Sequence, residues 1–169
     1  MLTRKVMLLG EIAVGKTALA RRLVFNRFDA GYRATLGVEL YTHQTDDIAD
    51  AAGPMRLSIW DVDGDLGESI GSHNYIKGAA GALIVADASR DVTLSRLGPL
   101  ADAFRKARHG RPTLFVINKS DLVEAAALEG MISKHELDPA TTIVTSALDG
   151  ANVASAFQCL AAEIVKVGA

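Results

Sequence analysis

Residues Gly10 to Thr17, GEIAVGKT, fit the pattern G-x-x-x-x-G-K-[ST] and lie between an apolar run, Lys5 to Leu9, and a stretch of helical periodicity, Thr17 to Val24. Such a pattern specifies a strand, a tight glycine turn and a helix whose N-terminus faces that turn. Glycines let successive backbone N–H groups wrap a phosphate chain, and the helix dipole behind them adds positive potential. Gly10, Ala13, Val14, Gly15, Lys16, Thr17 and Ala18 are therefore the expected phosphate cradle. Lys16 supplies a point charge to the β- and γ-phosphates, and the Thr17 hydroxyl is the expected Mg²⁺ ligand, since that ion takes oxygens and shares them with nucleotide phosphates. Chance would produce this pattern in roughly one chain in a hundred of this length, so an accidental match is a weak alternative.

The remaining sequence alternates between strand-like and helix-like stretches. Gly37 to Thr45 and Met55 to Asp61 read as two strands joined by the polar stretch Asp46 to Pro54, a hairpin whose turn holds Asp46, Asp47 and Asp50 as solvated acids. Ala82 to Asp87, Thr113 to Asn118 and Thr141 to Thr145 read as further strands, separated by helical patterns near 94–108, 122–135 and 152–166. One early hairpin followed by alternating units predicts an α/β fold: a six-stranded, mostly parallel sheet with one antiparallel strand and helices on both faces. No internal repeat, low-complexity tract or linker interrupts the 169 residues, so 1–169 is expected to form one domain.

A formal net charge of −2 without a clustered basic run gives no electrostatic footprint for nucleic acid or an anionic membrane. Cys159 is the only cysteine, which excludes an internal disulfide, fits a reducing cytosol and reads as a small core hydrophobe on the last helix. The start, Met-Leu-Thr-Arg, lacks a myristoylation glycine and a signal-peptide core, and Val167-Gly168-Ala169 has no cysteine for prenylation. The longest apolar run, Ala79 to Ala88, is too short to span a bilayer. The expectation is a cytoplasmic protein without a direct membrane anchor.

A phosphate cradle does not name the base. Asn118-Lys119-Ser120-Asp121, N-K-x-D at the end of a predicted strand, does. The Asp121 carboxylate can accept two N–H bonds from guanine's N1 and exocyclic amine, a donor pair that adenine lacks. The Lys119 stem can cover one face of the base. Downstream, Thr145-Ser146-Ala147-Leu148 follows another strand, and the backbone N–H groups of Ser146, Ala147 and Leu148 could meet the guanine carbonyl.

With GEIAVGKT, Thr35, WDVDG, NKSD and TSA in this order across almost the whole chain, the sequence resembles the Ras superfamily of small GTPases. YRATLGVEL, Trp60-Asp61 and YIKGAAGALIVADAS look most like the Rab branch. The resemblance implies a P-loop, Ras-like doubly wound fold with GTP or GDP and Mg²⁺ at the C-terminal ends of the strands. It implies that Thr35 ligates Mg²⁺, that Asp61 acts on the ion through water, and that the Gly64 N–H reaches the γ-phosphate. Phe28 would pack edgewise against guanine. Loops 28–41 and 61–77 would be the switches that meet effector and regulatory proteins, released when the γ-phosphate is lost.

Two positions depart from the family pattern. Where the family usually reads Thr-Ala-Gly-Gln-Glu, this chain has Val62-Asp63-Gly64-Asp65-Leu66. A glutamine amide donates and accepts, and so orients a water; Asp65 only accepts, is shorter and adds negative charge. Ile12 stands where Ras has glycine and fills the space of an incoming arginine finger, an effect of about 10³–10⁵ in rate. The catalytic set Lys16, Thr35, Gly64 and Asp65 is therefore expected to hydrolyse GTP slowly. Two readings of the acids stay open: Asp65 or Asp63 accepts a bond from the water, or both are solvated loop residues. Of the four histidines, only His73, in the second switch, is a candidate, and it also reads as an exposed loop residue. The functional expectation is a slow GTPase switch, with a permanently loaded, non-hydrolysing binding module as the alternative. A P-loop kinase or ATPase does not fit NKSD.

Overall fold

The structure is a computed structural model that describes residues 2–31, 35–49, 51, 53–62, 64 and 74–168. Six strands, β1 (Thr3–Gly10), β2 (Val38–Asp47), β3 (Pro54–Val62), β4 (Ala79–Asp87), β5 (Thr113–Asn118) and β6 (Thr142–Val144), form one sheet in the order β2-β3-β1-β4-β5-β6. Every neighbouring pair is parallel except β2 with β3, where Leu40 faces Trp60 and His43 faces Leu57. The expected sheet, with its one antiparallel strand, is thus present.

Both faces of the sheet are covered by helices α1 (Lys16–Phe25), α2 (Asp91–Ser95), α3 (Leu97–Ala107), α4 (Ala125–Lys134) and α5 (Val153–Lys166). All nine residues of β4 are buried, the signature of an interior parallel strand covered on both sides. On one face α1 and α5 pack over Val6, Leu8, Leu57, Leu83 and Val116; α5 contributes Val153, Ala156, Phe157, Leu160, Ala161 and Ile164, a spacing that forms one helical stripe. On the other face Leu94, Leu97, Leu100, Ala101 and Phe104 lie against Met7, Ile84, Ala86 and Ile117. Phe104 and Phe157 are the largest fully buried side chains among the described residues, one in each core, and burial of such a side chain contributes about 1.5–3 kcal/mol.

Three expectations need correction. The helical stretch near 94–108 is two helices broken at Arg96, because Pro99 has no N–H to bond the Ser95 carbonyl one turn back. Asp46 and Asp47 belong to β2, not to the turn, and Gln158 of α5 donates to both of their carbonyls at 3.4 and 3.2 Å; Asp50 lies outside the described residues. Cys159 is exposed, because it falls on the face of α5 opposite the buried stripe.

Candidate functional site

The pattern Gly10 to Thr17 folds as a strand end, a glycine turn and a helix start. β1 delivers Gly10 to the C-terminal edge of the sheet, and Gly15, at φ +100°, turns the chain so that α1 begins at Lys16. A Cβ at Gly15 would collide with the Asn118 side chain, so glycine is needed there for space as well as for conformation. Lys16 is 7% exposed and its Nζ folds back over the loop to the carbonyls of Gly10 and Glu11, both at 2.9 Å. The base motif grips the same loop from below: Asn118 Nδ2 donates to the Val14 carbonyl at 3.1 Å and Lys119 Nζ to the Ala13 carbonyl at 2.8 Å. Ala13 and Lys119 are both non-glycine residues in the left-handed region, with φ of 62° and 63°. Such backbone costs roughly 1–2 kcal/mol and persists where surrounding contacts enforce it.

Beside Lys16, three oxygen-bearing side chains from separate segments meet. Thr17 Oγ1 lies 2.8 Å from Thr35 Oγ1 and donates to Asp61 Oδ2. Asp61 is fully buried, and its Oδ1 has no hydrogen-bond partner among the described residues. Burial pushes the Asp61 carboxyl up to about 6, against the opposing hydrogen bond from Thr17 and the charge of Lys16. A buried carboxylate with an unmatched oxygen, next to two hydroxyls, is a donor set of hard oxygens with one negative charge. These residues fit a Mg²⁺ ion.

On the far side of Lys119, Asp121 Oδ1 accepts from Ser146 Oγ at 2.6 Å, and Asn118 Oδ1 accepts from Thr145 Oγ1 at 3.1 Å and from the Ala147 N–H at 3.2 Å. Asn118 thus ties the phosphate loop to the loop after β6, and NKSD and Ser146-Ala147-Leu148 form one cluster. Between this cluster and Asp61 opens a cleft of about 490 Å³, lined by Ala13, Gly15, Lys16, Thr17, Ala18, Phe28, Thr35, Gly64 and Lys119, among others. Gly10, Val14, Asp61 and Asn118 are buried and do not line it, and neither do Asp121 and Ser146 to Leu148. Ile12, 44% exposed, stands in its wall, and Gly64 rests on the Ile12 backbone so closely that a Cβ there would sit 2.5 Å from the Ile12 nitrogen. Asp63, Asp65 and His73 lie outside the described residues, as does Tyr32.

Several residues of this network escaped the sequence reading. Asp87, at the end of β4, accepts from Lys119 Nζ at 2.7 Å and from Arg90 Nε at 3.2 Å, while Arg90 Nη2 donates to the Ile12 carbonyl at 2.6 Å. Burial works to raise the Asp87 carboxyl, but hydrogen bonds from Lys119 and Ser89 outweigh it and hold it below the usual carboxylate range. Arg96 pairs with Glu11 at 2.9 Å, and Arg22 reaches the carbonyls of Ala147 and Leu148. An available signal was Asp87 itself, a charge closing a run of eight buried residues, which needs a partner.

A six-stranded sheet in this order, with a glycine turn between its first strand and first helix, defines a Ras-like P-loop domain. The family model for the Ras of Complex (Roc) domain of DAPkinase matches residues 5–121. The Ras-related protein RABA5d of Arabidopsis thaliana is 33% identical over 165 residues, covering 95% of this chain and 73% of that protein. RABA5a of the same plant is 34% identical over 167 residues, covering 96% and 74%. The chain belongs to the Ras superfamily of small GTPases, in its Rab branch. Proteins of this family bind GTP or GDP with Mg²⁺, hydrolyse GTP and act as switches that meet effectors and regulators. No helix among the described residues is long and apolar enough to cross a membrane.

Proposed function

We propose that residues 1–169 form one guanine-nucleotide switch domain that holds GTP or GDP with Mg²⁺ in this cleft and hydrolyses GTP slowly. The observation that carries the reading is the convergence of Lys16, Thr17, Thr35 and Asp61 at one end of the cleft with the NKSD cluster at the other. Lys16 and the loop N–H groups bind the phosphates. Thr17, Thr35 and Asp61 would hold the metal, which would supply positive charge to neutralise the phosphates. Asp121 reads the guanine amine, the Leu148 N–H meets the 6-oxo group while the N–H groups of Ser146 and Ala147 stay bonded to the Ala151 carbonyl and to Asn118, Phe28 flanks the base, and the Gly64 N–H senses the γ-phosphate. Glycine at 64 suits that role, because only a residue without Cβ can lie so close to the Ile12 backbone. Exposed Leu36 and Leu40 in the first switch offer apolar contact to an effector.

Slow turnover follows from Asp65, which cannot donate to the attacking water, and from Ile12, whose side chain stands in the cleft wall where an arginine supplied by an activating protein would enter. Single-turnover hydrolysis of GTP by the purified chain and by Asp65→Gln tests this. A nearly inert wild type with a faster variant supports the proposal. Brisk turnover that Asp65→Gln slows makes Asp65 catalytic and refutes it. If both stay inert while retaining labelled GTP, the chain is a loaded binding module.

A further inference from the structure

We infer that Arg22 is a positioning residue for guanine recognition: its guanidinium, forked across the carbonyls of Ala147 and Leu148, aims the Leu148 N–H at the 6-oxo group of the purine. The inference rests on the guanine-nucleotide reading above. Arg22 lies on α1, six residues after Lys16, and is half-buried. Its Nε donates to the Ala147 carbonyl at 2.8 Å and its Nη2 to the Leu148 carbonyl at 2.5 Å. In a trans peptide the C=O and the following N–H point in opposite directions. Fixing the Ala147 oxygen on Arg22 therefore fixes the Leu148 N–H to point away from α1, whereas the Asp149 N–H turns back to Ser146 Oγ at 3.4 Å.

Burial does not hold this end of the loop, for Leu148 is 49% exposed. The turn closes on itself, with Gly150 N donating to the Ser146 carbonyl at 2.9 Å and Ser146 N to the Ala151 carbonyl at 3.1 Å, and Asn118 holds Ala147 from the other side. Arg22 hydrogen-bonds the loop to α1, the helix that also carries Lys16 and Thr17. Its third nitrogen, Nη1, donates to the Asn26 side-chain oxygen at 3.1 Å and to its carbonyl at 3.3 Å, where the chain leaves the helix toward Phe28. A single arginine thus couples the phosphate-binding helix, the base loop and the start of the first switch. Lysine keeps the positive charge near the helix C-terminus but presents no planar fork and cannot span two carbonyls in this way.

Arg22→Ala and Arg22→Lys, assayed as full chains for release of fluorescent GDP and for competition by GDP, IDP and ADP, test the assignment. Losing two charge-assisted bonds to the loop is expected to speed GDP release about tenfold in both variants. GDP and IDP share the 6-oxo group and differ only in the amine read by Asp121, so both should weaken by the same factor. Selectivity over ADP should fall, because a loosely held loop no longer opposes a 6-amino group. Arg22→Lys should melt within about 3 °C of wild type, which separates loop aiming from helix stabilisation. Wild-type release rates in Arg22→Lys, an unchanged GDP-to-ADP ratio, or a changed GDP-to-IDP ratio would each overturn the inference. Failure of the wild-type chain to retain GDP at all would instead refute the nucleotide reading beneath it.

Discussion

Truncating Asn118 to alanine is expected to damage the fold and the nucleotide site together. Asn118 is 1% exposed, donates to the Val14 carbonyl, and accepts from the Thr145 hydroxyl and the Ala147 N–H. The two donors it serves belong to residues that are 0% and 3% exposed, so water does not readily replace the lost acceptor. Each buried polar group stripped of its partner costs about 1–3 kcal/mol, and rotation of the Thr145 hydroxyl recovers part of one, which leaves a loss of about 3–5 kcal/mol. That is a large share of the 5–15 kcal/mol typical of a folded domain. At 2–4 °C per kcal/mol for a chain of this size, the melting temperature should fall by about 6–20 °C. Thermal unfolding with and without excess GDP measures it, and the stabilisation added by GDP should also shrink, because the phosphate loop and the base loop lose their common tie. Thr145→Val removes one of the three bonds and should cost about 1 kcal/mol, a scale for the larger effect. An alanine variant within about 1 kcal/mol of wild type, with unchanged GDP stabilisation, would refute the reasoning.

Gly64→Ala places a Cβ 2.5–2.8 Å from backbone atoms of Glu11 and Ile12, which cannot yield, so the segment must leave the phosphate loop; competitive displacement should show the preference for GTP over GDP falling at least about tenfold with little change in melting temperature. The Asp87 carboxyl is held below its ordinary pKa, so its stabilising contribution is present above the unfolded value near pH ~4 and is lost as pH falls through the lower folded value. The stability gap between wild type and Asp87→Asn should therefore be widest near neutrality and close in acid, as urea unfolding across pH would reveal. Lys5 Nζ lies 3.4 Å from the centroid of Trp60, the only tryptophan, and donates to the carbonyls of Lys77, at 3.0 Å, and Tyr75. Lys5→Met should change the intrinsic fluorescence and lower stability by about 1–3 kcal/mol; an unaltered emission spectrum would contradict that contact.

What the sequence disclosed was short-range. GEIAVGKT and NKSD stood out because the phosphate wrapping and guanine reading proposed for them need fixed residue types at fixed spacing, and the alternation of strands and helices followed from hydrophobic period. The break at Arg96 was legible in principle from Pro99, but the apolar positions on either side share one face and masked it. Cys159 misled because its residue type favours burial, whereas the helical phase of α5, set by Phe157, Leu160 and Ile164, turns it outward. Arg22, 125 residues from Ala147, and Arg90, 78 residues from Ile12, carry no local signal, since an arginine on an exposed helix or turn reads as solvent-facing until the fold brings a carbonyl to it.

On the proposed reading, Asp61 gives this fold a dependence on its cargo. A negative charge carried into complete burial, with one oxygen matched by no described donor, makes the unladen protein the costly form. Occupancy would then work as a structural element, much as a keystone does, and the interval between one nucleotide and the next would be the most fragile moment in the life of the molecule. Rapid exchange would require either abundant replacement nucleotide or a protein that props the cleft while it is bare.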